Sequence, residues 1–246
     1  MTTQNRMTLE RSNSFENDSQ ENIFEDRIIL ADKPKEWTSA NVLNLLKKRL
    51  WIKKAGHAGT LDPMASGLLI ICTGKKTKII TEFINYDKEY EGVIRIGAKT
   101  ESFDTETEEY GIINTSHISD DDLENARKQF LGEILQIPPM HSAIKHKGKR
   151  LYKLARKGEE VEREPRKVVI SEFDIKRLNE NEVFFRIVCT KGTYIRSIAN
   201  DFGNTIGVGG YLKELRRTRV GKFVLDNFEM EEKGIRFRIY SDNASY

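Results

Sequence analysis

Residues 54–78 read KAGHAGTLDPMASGLLIICTGKKTK, and they hold the side chains best placed to do chemistry. Gly56, Gly59 and Gly67 let the backbone turn tightly and approach a ligand. His57 and Asp62 stand among them, an imidazole and a carboxylate just ahead of an apolar strand. Loops fixed to rigid strands are where catalytic side chains tend to sit. A plainer reading stands beside this one. Asp62 before Pro63 suits a helix N-cap with proline at the first helical position, and spacing alone favours the cap. His57 on its own more often packs or hydrogen-bonds within a loop than catalyses.

A second stretch, KGTYIR at 191–196, ends the longest predicted strand. Tyr194 and Arg196 are two residues apart, so in extended structure they share a face. A ring beside a guanidinium can stack on a nucleobase and pair with a carboxylate or phosphate. The alternative is a strand-end pair of solvated residues.

Regular elements must position these groups. Ser39 can cap a helix whose apolar residues Val42, Leu45, Leu46 and Leu50 share one face. Leu68–Cys72 reads as a buried strand and Tyr90–Ala98 as an alternating one. Ser119 to Asp122 resembles a capping box, and Leu123, Ala126, Phe130 and Leu131 continue its helical face up to Gly132. Val168–Phe173 and Val183–Ile195 are rich in β-branched and aromatic residues and read as strands. Ile198, Phe202 and Ile206 suit a short helix stopping at Gly207. Strands and helices do not alternate regularly, so the fold class is α+β.

The chain has 246 residues and a net charge of +3, so charge distribution tells more than charge balance. Residues 1–26 carry six acidic and two basic side chains and read as a disordered or tethered tail. Residues 100–125 hold nine acidic side chains and no Lys or Arg, while 145–157 hold seven basic ones and no acidic one. Lys213, Arg216, Arg217, Arg219 and Lys222 form a second basic cluster. Two such clusters suit a groove facing a polyanion, or else ordinary solvated helix faces. No apolar run reaches the length of a membrane span. Two cysteines, Cys72 and Cys189, exclude a disulfide framework and suit a reducing cytoplasm. His57, His117, His141 and His146 lack metal-ligand spacing, so no metal site is expected. The run at 73–77 ends like a phosphate-binding loop, but Leu69 stands where that loop needs its first glycine.

Four segments, in order, resemble the TruB family of pseudouridine synthases. They are Asp32-Lys33-Pro34 with Thr38-Ser39, the loop Gly56–Gly67, the run from His141 to Gly158, and Lys191–Arg196 with Asp201-Phe202-Gly203 and Leu215-Arg216-Arg217. The resemblance spans about residues 27–225. It implies a pseudouridine synthase-like fold, with a central mixed, largely antiparallel sheet flanked by helices and a catalytic cleft across the sheet. The expected layout is a catalytic domain over 27–230 with an RNA-gripping insertion at about 138–165, then a short C-terminal tail at 231–246. The family usually has glycine where Glu36 stands. It often carries a C-terminal PUA domain, for which the residues after Phe228 are too few.

What the resemblance implies is isomerisation of a T-loop uridine in tRNA, with no metal or redox cofactor. Asp62 maps onto the essential aspartate and Arg196 onto its partner, which keeps the carboxylate ionised. Tyr90 maps onto the tyrosine that packs on the target base, Tyr194 and Leu215 onto the uracil pocket, and His57 onto the residue that fills the space a flipped base leaves. Lys145, Lys147, Lys149 and Arg150 suit phosphate contacts. The expected partner is the T arm of tRNA, met in the cytoplasm by a monomer with no obligatory protein partner. Three other readings compete. They are a non-catalytic tRNA-binding or folding protein on the same scaffold, a guide-dependent synthase, and a hydrolase pairing Asp62 with an acidic residue from 100–125.

Overall fold

The structure, a computed structural model, describes residues 22–240 apart from 143, 144, 147 and 156. In chain order its elements are β1 (Ile28–Lys33), α1 (Ser39–Arg49), β2 (Ala55–Ala58), β3 (Ser66–Thr73), α2 (Ile80–Asn85) and β4 (Lys88–Ile96). There follow α3 (Asp120–Lys128), β5 (Gly132–Gln136), β6 (Lys145–His146), β7 (Lys149–Arg150), α4 (Leu151–Ala155), β8 (Arg166–Asn179) and β9 (Glu182–Cys189). The last are α5 (Ile195–Thr205), β10 (Gly210–Val220), β11 (Phe223–Val224), β12 (Met230–Glu232) and β13 (Ile235–Tyr240). Among the described residues no helix is long and apolar enough to cross a membrane.

The stretch expected as one catalytic domain divides into two compact units. One holds the described residues up to Tyr86 and from Arg216 on, the other Asp87–Leu215. The boundary falls inside β10, whose two halves belong to different units.

In the first unit β1 lies between β3 and β13, antiparallel to both, with Ala31 opposite Leu69 and Phe237. The other edge of β3 pairs antiparallel with β2 and parallel with Arg216 and Arg217 of β10. β3 is buried on both faces from Gly67 on, which is why Leu68–Cys72 reads as an unbroken apolar run. Leu69 and Ile71 join Ile29, Ala31 and Phe237 against Val42 and Leu46 of α1. Leu68, Ile70 and Cys72 join Leu30, Phe83 and Phe223 on the opposite side. Truncating a core leucine such as Leu46 to alanine costs about 2–5 kcal/mol.

Three expectations change here. The cap of α1 is Thr38, whose side chain accepts from the Asn41 N–H, and this frees the buried Ser39 hydroxyl for another task. Residues 231–240 are not a tail. The alternation of Ile235 and Phe237 gives a strand one apolar face, and β13 places that face in the core beside β1. Of the segment read as an N-terminal tail, 22–26 belong to this unit. Phe24 packs against the core, and the Asn22 side-chain amide donates to the Leu50 carbonyl at 2.8 Å. Residues 1–21 lie outside the described residues.

In the second unit β4, β9, β8 and β5 follow one another antiparallel. Gly92 of β4 lies so close to the Glu214 carbonyl of β10 that no Cβ would fit. Phe130, Phe173 and Phe202 meet with ring centroids 6.1–6.2 Å apart, tying β8 and α5 to the chain just after α3. The capping box at Ser119 and Asp122 forms as the sequence predicts. The helix stops at Lys128, however, and Leu131 emerges 39% exposed. The strand expected over 183–195 ends at Cys189, because the chain turns at Gly192 (φ 81°) and begins α5 at Ile195.

Candidate active site

Asp62 lies in the seven-residue loop that joins β2 to β3. No helix starts there, so the cap reading fails. Asp62–Ala65 is a single turn, closed by the Ala65 N–H on the Asp62 carbonyl at 3.1 Å. The carboxylate itself is half-buried.

The loop backbone is held from three directions. The Ser39 hydroxyl accepts from the Leu61 N–H at 2.9 Å and donates to the Leu61 carbonyl at 3.2 Å. The Pro63 carbonyl accepts from the Glu36 N–H at 2.8 Å and from Lys33 Nζ at 3.3 Å. Arg217 Nη2 donates to the Gly59 carbonyl at 3.2 Å, while its Nε donates to Leu68 in β3 at 2.8 Å. Both neighbours of Asp62 are thus fixed, one by the start of α1 and the other by the segment leading to it. Gly67 completes the frame. Its φ is 108°, and a Cβ there would collide with the Arg217 backbone.

Two buried cations surround this loop. Lys33 is fully buried, and its ammonium also donates to the Pro34 and Trp37 carbonyls at 2.9 and 2.6 Å. Burial pushes its pKa down to about 8. Asp62 and Glu36 pull it back up, and Arg217 lowers it further. Arg217 is 1% exposed. His57 sits in β2 opposite Ile71, a strand rather than a loop position. Its Nδ1 is buried without a hydrogen-bond partner. Burial, and then Arg217, hold its pKa below the usual histidine value, so the ring is neutral at pH 7.

The remaining candidates lie in the second unit. Tyr90 is on β4 opposite Ile187, and Leu215 is a buried strand residue of β10. Tyr194 and Arg196 do not share a strand face. Tyr194 is the N-cap of α5, and Arg196 is the second residue of that helix. Gln136 holds the Tyr194 peptide at both ends, accepting from its N–H at 2.7 Å and donating to its carbonyl at 3.0 Å. Nor is Arg196 solvated: it is 4% exposed. Its Nε lies 3.5 Å from the Asp104 carboxylate, Nη1 donates to Ser102 at 3.1 Å and Nη2 to His141 at 2.7 Å, both through carbonyls. Asp104 in turn accepts from the Glu106 N–H at 2.9 Å.

In the expected RNA-gripping segment, Lys145 and Arg150 pair across the β6–β7 hairpin, as do His146 and Lys149. Lys147 lies outside the described residues. The second basic cluster runs along strand β10 and beyond, not along a helix face. Arg217 is buried, Arg216 pairs with Asp32 at 2.9 Å and Lys213 pairs with Glu182.

Sequence reasoning missed Lys33, Ser39, Asp104, Gln136 and Arg217 as positioning residues. A signal existed for Arg217. In a strand it shares a face with Leu215, which puts it among buried residues.

The chain matches the model of the TruB family pseudouridylate synthase N-terminal domain over residues 47–195. It matches that of the tRNA pseudouridylate synthase B C-terminal domain over 196–233. It is 50% identical over 206 residues to tRNA pseudouridine synthase B of Chloroherpeton thalassium, covering 82% of this chain and 86% of the relative. It is also 50% identical over 214 residues to the protein of that name from Flavobacterium johnsoniae, covering 84% and 93%. Among solved structures it is similar to a chain in a Cbf5–Nop10–Gar1 complex. The TM-score is 0.65 and the identity 31%, over 82% of this chain and 51% of the other. This chain therefore spans about half the length of that one.

Proposed function

The chain belongs to the TruB family of pseudouridylate synthases, and from that premise we propose that it isomerises a T-loop uridine of tRNA to pseudouridine. The N1–C1′ glycosidic bond breaks, the uracil turns, and a C5–C1′ bond forms. The C5 proton is removed and N1 ends protonated, so product and substrate are isomers. No redox equivalent is consumed.

The observation that carries the reading is the carriage of Asp62. It is a carboxylate on a loop whose backbone is hydrogen-bonded on each side of it, at Leu61 and at Pro63. Fixing the reacting group before substrate arrives lowers the barrier by removing motions the transition state cannot tolerate. In this reading Asp62 starts the exchange, and Arg196 binds the substrate. Support for Arg196 comes from its own fixation by Asp104 and two carbonyls. Tyr90 packs on the target base, and Tyr194 and Leu215 line the uracil pocket. His57 fills the space left by the flipped base, a task that suits a neutral ring. Lys145, Lys147, Lys149 and Arg150 hold phosphates. The partner is tRNA alone, met in the cytoplasm by a monomer.

The test is conversion of an unmodified tRNA transcript by the wild-type protein and by Asp62→Asn. Wild type forms pseudouridine in the T loop, and the variant binds the transcript without converting it. Conversion by the variant overturns the role of Asp62. Binding without conversion by wild type overturns the enzyme reading in favour of a tRNA-binding protein.

A further inference from the structure

Trp51 occupies a backbone position suited to glycine, and its indole is left in water. Helix α1 ends at Arg49, and the Ile52 N–H returns to the Lys47 carbonyl at 3.0 Å, the six-to-one bond that closes a helix C-terminus. Trp51 is the left-handed residue of that motif, with φ 55°. Glycine fits there without strain, and a bulky side chain does not. The ring recovers nothing by burial, because Trp51 is 84% exposed. Neither the backbone nor the core explains a tryptophan here.

Its surroundings supply a reason. Lys48, Lys53 and Lys54 are exposed on either side of it in sequence. The Gly74 N–H donates to the Lys54 carbonyl at 2.8 Å, which brings exposed Lys75 and Lys76 alongside. Among the described residues, acidic groups nearby each have a partner. Glu25 accepts from the Lys53 N–H at 2.7 Å, Asp26 accepts from the Lys75 N–H and lies 3.6 Å from its ammonium, and Glu232 pairs with Arg49 at 3.0 Å. An exposed ring flanked by exposed lysines suits a nucleic-acid strand, whose bases stack on aromatic faces while its phosphates meet lysines. We propose that Trp51 is a stacking platform for an unpaired base of the tRNA, with Lys48, Lys53 and Lys54 holding the adjoining phosphates. The proposal rests on the tRNA reading above and adds a contact outside the Asp62 loop and the 138–165 insertion.

The experiment compares wild type, Trp51→Gly and Trp51→Phe, each as the full chain, by melting temperature and by affinity for an unmodified tRNA transcript at fixed salt. Trp51→Gly relieves the strained backbone and raises the melting temperature by roughly 2–4 °C. It also weakens tRNA binding by about tenfold, the scale of one lost base–aromatic stack. Trp51→Phe keeps a ring and stays within a few-fold of wild type in affinity. Wild-type affinity in Trp51→Gly overturns the proposal. So does a fall in its melting temperature, which would give the indole a packing role instead. If wild type binds the transcript without converting it, the enzyme reading fails and the Trp51 comparison still stands on affinity alone.

Discussion

The hydroxyl of Ser39 holds both backbone groups of Leu61, accepting from its N–H at 2.9 Å and donating to its carbonyl at 3.2 Å. Leu61 immediately precedes Asp62. One side chain from the first turn of α1 thus sets the direction in which the loop delivers its carboxylate. Thr38 takes over the capping role that leaves Ser39 free to do this.

Ser39→Ala strips Leu61 of both partners in a buried site, at a cost of about 1–3 kcal/mol in stability. The larger effect is kinetic. A carboxylate displaced by even part of an ångström lowers the rate by roughly tenfold to a hundredfold. The single-turnover rate of pseudouridine formation falls by that much while tRNA affinity holds. Equal losses in rate and affinity would make Ser39 a general structural residue only.

Glu36→Gly stabilises the protein. Glu36 is exposed and has φ 66°, a region in which an L side chain costs roughly 1 kcal/mol and glycine costs little. Its N–H bond to Pro63 is made by the backbone and survives the change. Glu36 also attracts the Lys33 ammonium, so the measurement is made well above pH 8, where Lys33 is neutral. Chemical denaturation there gives a gain of about 1 kcal/mol, with pseudouridine formation intact. An unchanged or lowered midpoint contradicts the strain argument.

Lys33 makes stability depend on pH in the alkaline range. Its pKa is about 8 in the folded chain, against 10.5 for an ordinary lysine. Between these values the unfolded chain holds the proton more often, so this group's contribution to stability rises with pH. Below pH 8 both states are charged and the penalty of burying the ammonium is fully present. Lys33→Met removes the dependence. The difference in unfolding free energy between wild type and variant, followed from pH 8 to 10.5, shifts in favour of wild type by on the order of 3 kcal/mol. A flat difference sinks the assignment.

The fold class and the core strands were legible because apolar pattern carries them. Leu68–Cys72 and Tyr90–Ala98 lie in or across strands β3 and β4, and the capping box marks α3. Asp62 was legible as a site candidate from the glycines around it, but its turn was not, since Asp-Pro fits a helix cap equally well by local chemistry. Arg196 and its neighbours were least legible. Burying an arginine requires Asp104 and the carbonyls of Ser102 and His141, residues 92, 94 and 55 positions away, and local sequence says nothing of such meetings. Gln136, whose side chain holds the Tyr194 peptide across 58 positions, gave no signal at all.

Arg217 ties the electrostatics of the loop to its geometry, and Arg217→Met separates the two. The methionine occupies similar space without a charge, leaving the Gly59 and Leu68 carbonyls without the guanidinium. In the wild type Arg217 disfavours protonation of His57, second only to burial, and it also lowers the pKa of Lys33. Removing the cation therefore raises the His57 pKa, while burial still holds it below an ordinary histidine. The expected result is an upward shift in the His57 NMR titration midpoint, together with a loss of about 1–3 kcal/mol in stability. Arg217→Lys restores a positive charge but not a fork that reaches two carbonyls, so it recovers the low midpoint and leaves the stability deficit. A midpoint that stays put in Arg217→Met would mean that burial alone sets the state of His57, and that Arg217 acts on this loop only through its hydrogen bonds.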